Sequence, residues 1–230
     1  MKQFALGIIG LTIAVVGFET SSPLAAQALR TPPVQIDADS PEMMVLVRAR
    51  PNNVMRRDLE TARRTQDSAE TAVGEMARAH EIVRGRIEVR KRESETLKAR
   101  IDLAKKENNE TESAALERER EAVNQHVQLL ERLRDVYEAQ RRYEESRRNH
   151  ARASIAVFER EIQLANSRTD DTTASDVLMN STFMDLQGQV LEAQRTRAER
   201  QQVMAERQKG LFERRARFLQ AQVAWLSRQT

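Results

Sequence analysis

The sequence predicts an all-α protein, an elongated antiparallel coiled-coil hairpin of two to three long helices preceded by a proline-rich linker. Three observations predict it. From Val54 to Thr230 there is no proline, and the glycines are only Gly74, Gly85, Gly188 and Gly210, so little interrupts a helix. Charged residues make up 32% of the chain and aromatic residues 4%. That supplies enough apolar surface for a thin seam between long helices, but not for the thick core of a globule. Apolar residues also recur at alternating steps of three and four, or at strict steps of seven, which keeps one stripe of a helix facing a partner.

The first segment has a different chemistry. Lys2 gives a short positive region, Phe4 to Phe18 is almost wholly apolar, and Ala26 and Ala28 put small residues where a signal peptidase needs them. The pattern predicts a signal peptide over 1–28 with cleavage after Ala28. An apolar run of about 15 residues falls short of the roughly 20 that span a bilayer. No later segment is apolar enough to span, so the mature chain is expected to have no spanning membrane segment. Residues 29–53 hold Pro32, Pro33, Pro41 and Pro51 and read as an extended linker. Within it, Met43 to Val47 reads as a short strand or as a segment laid against the coiled coil.

Residues 54–166 read as long helix, interrupted or continuous near 108–111. A first tract runs Val73, Met76, His80, Val83, Ile87, Arg90, Ser94, Leu97, Ile101, Ala104. A second runs Leu116, Val123, Leu130, Tyr137, Glu144, Ala151, Phe158 at strict sevens. Their phases do not join across 105–112, where Asn109 and Glu112 have capping-box spacing. Either the chain reverses there into a three-helix bundle, or the helix continues through a phase shift. Continuity is the expectation, since no Gly or Pro enforces a turn. The tract 73–104 then projects and forms a homo-oligomer.

Residues 167–179 read as the hairpin tip, because Thr, Ser and Asp favour turns and caps. Residues 180–229 return as a helix with the seam Phe183, Val190, Arg197, Met204, Leu211, Phe218, Trp225. Beside it runs Met184, Leu191, Ala198, Ala205, Phe212, Leu219, Leu226. Folding about Asp171 sets Leu116 on Leu226, Val123 on Leu219, Leu130 on Phe212, and Phe158 on Met184. It also brings Glu144, the one acid of its stripe, to Ala198 beside Arg197. A Glu144–Arg197 pair inside the seam is therefore expected, fixing register more than adding stability.

Composition excludes several classes of function. There is no cysteine, which rules out disulfides, thiolate catalysis and Cys-ligated zinc. The net charge is only +3 at a pI near 9.5. Its acids and bases are interleaved as on a solvated helix surface, unlike the clustered basic face of a nucleic-acid binder. His80, His126 and His150 are too far apart in sequence for a metal motif, and no phosphate loop or nucleophile elbow occurs. The spacing of Asp170, Asp171 and Asp176 does not match a calcium loop. The glycosylation patterns at Asn109 and Asn180 matter only in a eukaryotic chain. Neither an enzyme nor a cofactor is expected.

The segment Arg168 to Leu178, the helix holding Tyr143 before it, and Leu191 to Gln194 and Ala221 to Ala224 after it resemble the helical hairpin of TolC-type outer-membrane efflux proteins. The resemblance covers 140–229. It implies a hairpin whose tip docks a periplasmic partner, without channel activity, since barrel strands and the second repeat are absent. The helical arms also resemble those of Skp-type periplasmic chaperones in composition. The expected function is an exported structural or adaptor coiled coil, periplasmic or extracellular with a bacterial source favoured, contacting an envelope protein. The alternatives are a Skp-like holdase and a component of a TolC-type efflux or secretion assembly. The candidate contact residues are Thr169, Asp170, Asp171, Thr172, Thr173, Ser175 and Asp176 at the tip.

Overall fold

The computed structural model describes residues 50–167 and 181–228. They form three helices and, among the described residues, no strand: α1 (Asn52–Lys106), α2 (Glu110–Asn166) and α3 (Ser181–Leu226). The all-α class is thus the expected one. The signal-peptide segment, most of the linker with its Met43 to Val47 patch, and residues 168–180 lie outside the described residues. At about 1.5 Å per residue, α1 and α2 each run about 80 Å.

Between α1 and α2 the chain reverses, which corrects the expectation of continuity. Only Glu107, Asn108 and Asn109 connect the helices. Asn108 adopts φ 55°, the left-handed region, and Asn is the residue other than glycine that enters it most readily. Its N–H donates to the Lys105 carbonyl, while the Asn109 N–H donates to the Ala104 carbonyl at 2.9 Å. These two bonds make a Schellman ending with asparagine in the place glycine usually takes. Asn109 also caps α2. Its Oδ1 accepts from the Glu112 N–H at 3.2 Å, and its Nδ2 donates to the Glu112 carboxylate at 2.9 Å.

The reversal gives the 73–104 tract a partner inside the chain, so its seam needs no second copy. Near the turn Leu97, Ile101 and Ala104 pack on Leu116 and Val123. Farther along, Val83 and Ile87 pack on Val127 and Leu130. Each leucine or isoleucine so buried stabilises the pairing by about 1.5–3 kcal/mol. Ser94 donates to Asn124 at 2.7 Å within this seam. Lys105–Glu117, Lys91–Glu131 and Arg63–Glu159 ion pairs follow it along the surface.

Antiparallel packing of α3 on α2 is observed, but the register differs from the expected one. Phe158 meets Ala193, nine positions beyond Met184 (184 to 193). Val136 and Ala139 meet Leu211 and Phe218, and His126 meets Trp225. The cause lies on α2. Its strict-seven stripe, Leu116, Val123, Leu130 and Tyr137, is taken by α1. Toward α3 it turns a second stripe, with Leu129, Val136 and Tyr143. α2 is therefore the central helix, packed on both sides, and no Cα of α1 comes within 8 Å of one in α3.

Candidate functional site

The tip residues Thr169, Asp170, Asp171, Thr172, Thr173, Ser175 and Asp176 lie outside the described residues. Among the described residues the chemistry is in α2 and in the surfaces it leaves open.

Glu144 and Arg197 are not brought together. The shifted register carries Arg197 along to Phe158, with its guanidinium carbon 5.9 Å from the ring centroid. Glu144 is buried as expected, yet its partners are on its own helix. Gln140 donates to it at 2.7 Å and Arg147 at 3.2 Å. Gln140 in turn accepts from Arg215 of α3 at 2.6 Å, so a polar layer joins α2 to α3 through Gln140. The residue missed in the sequence is Gln140, four before Glu144 and thus on the same helix face.

A second cluster joins all three helices. Phe158 packs with Ala62, Val157 and Ala193. Arg50 lies over the same ring at 5.2 Å and bonds both Asp58 and Glu161. Glu161 also accepts from Gln194 of α3 at 3.1 Å. Cations over an aromatic face gain from the ring's quadrupole, and Glu161 compensates the charge of Arg50. Burial pushes the Arg197 guanidinium below its ordinary value, and Glu161 opposes that shift. The cluster closes the structure where α1 begins.

The histidines are dispersed. His80 sits half-buried between Glu81 and Glu138. His150 is pushed below the usual imidazole value by burial and then by Arg197. His126 stacks on Trp225 with ring centroids 5.6 Å apart. Burial lowers its pKa first, then Arg90 and Arg86, with Glu93 opposing. His126 thus faces α3 on one side and the charges of α1 on the other. Leu133 packs against α1 and α3 residues alike, and Gln140 meets Arg215. With these two, His126 lies at strict sevens on the α2 stripe between the outer helices, whose Cα atoms stay more than 8 Å apart. The three residues are the floor of the trough so defined.

Among the described residues, apolar side chains border that trough without a partner. On α3, Phe212, Leu219, Val223 and Leu226 are 50–66% exposed, and Leu191 is also exposed. Four of the five belong to the stripe beside the α3 seam: Leu191, Phe212, Leu219 and Leu226. On α1, Ile82, Val89 and Leu103 are exposed and repeat at multiples of seven, a signal the sequence carried and the seam reading passed over. Monomers rarely leave apolar stripes this long in water.

Among the described residues no cluster of His, Cys, Asp or Glu is arranged to hold a metal ion, and no helix is long and apolar enough to cross a membrane. A shallow depression at the α1–α2 turn is lined by Lys105, Asn108, Asn109, Glu110 and Glu117. No family model, curated protein or solved structure matches the chain.

Proposed function

We propose that the chain is an exported structural or adaptor coiled coil of the bacterial cell envelope, periplasmic and acting through protein–protein contacts. The observation that carries this reading is the pair of exposed heptad stripes on α1 and α3, since exposed apolar residues at this spacing suit a partner helix. The signal-peptide pattern of residues 1–28 supports export, and the Thr- and Asp-rich segment 167–179 is the proposed contact with an envelope protein. A TolC-type assembly is the narrower form of the same reading. A Skp-like holdase is the second reading, favoured by the open trough with apolar walls.

In-cell photo-crosslinking from Asp171, with Gln208 on α3 as the control site, tests the proposal. One dominant envelope protein trapped at Asp171 and not at Gln208 supports the adaptor. A smear of unrelated outer-membrane precursors at both sites overturns it in favour of the holdase. Sequencing the N-terminus of the chain recovered from the envelope checks export, with Leu29 as the expected first residue.

A further inference from the structure

The two exposed stripes belong to one side of the molecule. Ile82 and Val89 stand four residues before Arg86 and Glu93, and residues four apart on a helix share a face. Arg86 and Glu93 both act on His126. Phe212 and Leu219 flank Arg215 at three and four residues, and Arg215 donates to Gln140. His126 and Gln140 lie on one α2 stripe, two heptads apart. Both outer stripes therefore border the trough above that floor.

They also stand at one height. Trp225 of α3 meets His126, and the Ser94–Asn124 and Lys91–Glu131 contacts bracket His126 beside Glu93 of α1, so Trp225 and Glu93 are level. α1 and α3 run in the same direction, both being antiparallel to α2. Six residues back from Trp225 is Leu219. Six back from Glu93 is Ile87, between Ile82 and Val89.

We propose that the trough is the interface of an antiparallel homodimer, with a second copy of this chain seated trough to trough. A single two-fold axis perpendicular to the helices, passing beside Leu219 and midway between Ile82 and Val89, satisfies both stripes. It sets Leu219 on its own copy and Phe212 on Leu226 of the other chain. On α1 it sets Ile82 on Val89 of the other chain. Three observations select a second copy. The pairing is self-complementary on two helices at once, as a closed two-fold interface requires. It places Arg78 opposite Glu93, and it sets Arg215, the arginine of α3 that faces the trough, against Val223 of the other chain rather than against another arginine. Ile82, Val89, Phe212, Leu219, Val223 and Leu226, each half or more exposed, offer about 600 Å² of apolar surface per copy. Their polar neighbours bring that near the ~800 Å² per partner of a standard stable interface.

The test uses the full chain, which has no native cysteine. Sedimentation equilibrium is expected to give twice the chain mass, with Leu219→Glu weakening association about a hundredfold or more. Circular dichroism is expected to stay unchanged, because the side chain is exposed in the single copy. Under oxidation, Leu219→Cys is expected to link to itself, Phe212→Cys to fail to do so, and Arg217→Cys, two residues from Leu219 and so on the opposite face of α3, to stay unlinked. Self-linking at Phe212 overturns the antiparallel register. A single-chain mass at every concentration overturns the dimer and leaves the trough to another protein's helix. Neither result depends on export or on the identity of an envelope partner.

Discussion

The asparagine turn carries the reversal between α1 and α2, and its energetics change sign if the reversal is wrong. At Asn108 the backbone is left-handed, with φ 55°. Asn108→Ala puts a β-carbon there without the local hydrogen bonding that lets asparagine tolerate it, at a cost of about 1–2 kcal/mol. Asn108→Gly removes the steric cost and leaves stability equal or higher by a few tenths of a kcal/mol, about the range of glycine's advantage at this position. Asn109→Ala deletes the acceptor for the Glu112 N–H and costs about 1 kcal/mol. In a continuous helix all three signs invert. Alanine at 108 or 109 then stabilises by about 0.6 kcal/mol over asparagine, and glycine destabilises by a few tenths. Urea denaturation followed by circular dichroism reads the difference as a shift in midpoint at constant slope. A higher midpoint for Asn108→Ala together with a lower one for Asn108→Gly would falsify the turn.

Three further outcomes are expected. A double-mutant cycle of Glu144→Gln and Arg197→Gln gives a coupling within about 0.5 kcal/mol, since the two side chains share no partner; a coupling well above that restores the seam pair. Phe158→Ala, at the junction of the three helices, costs about 3–5 kcal/mol in urea denaturation, and a cost near zero shows that the junction is not formed. His126 and His150 both have folded pKa values below their ordinary one. The unfolded chain thus binds the more protons, and stability is full above the unfolded value of about 6.5 and falls as pH drops from there toward the folded values. The urea midpoint is therefore expected to be lower at pH ~5 than at pH ~7, with His126→Gln and His150→Gln each flattening the change.

The sequence was legible where a feature depends on its own neighbours. Helical stretches free of proline, the Asn109–Glu112 cap and the stripes at strict sevens are local, and each is found in place. The turn at Asn108 carries no glycine or proline to mark it, yet two adjacent asparagines end one helix and cap the next. The register of α3 failed for a different reason. A stripe at strict sevens says that a face is wanted by a partner, but not by which one. The stripe Leu116, Val123, Leu130 was assigned to α3 when α1, nearer in sequence, had claimed it. Placing Glu144 against Arg197 inherited that error.

The central position of α2 also explains why the outer faces are left over. A helix packed on two sides leaves each outer helix one inward stripe to satisfy, and α1 and α3 do so with Val83, Ile87, Leu97 and Ile101 and with Phe183, Val190, Leu211 and Phe218. Any apolar stripe beyond that has no partner among the described residues. Ile82, Val89, Phe212, Leu219 and Leu226 are such a remainder. Keeping them in water has a cost that polar side chains at those exposed positions would not carry. Scattered exposed leucines need no explanation, but a remainder repeating at sevens on two helices, at one height and on one side, is what an interface leaves when its other half is removed.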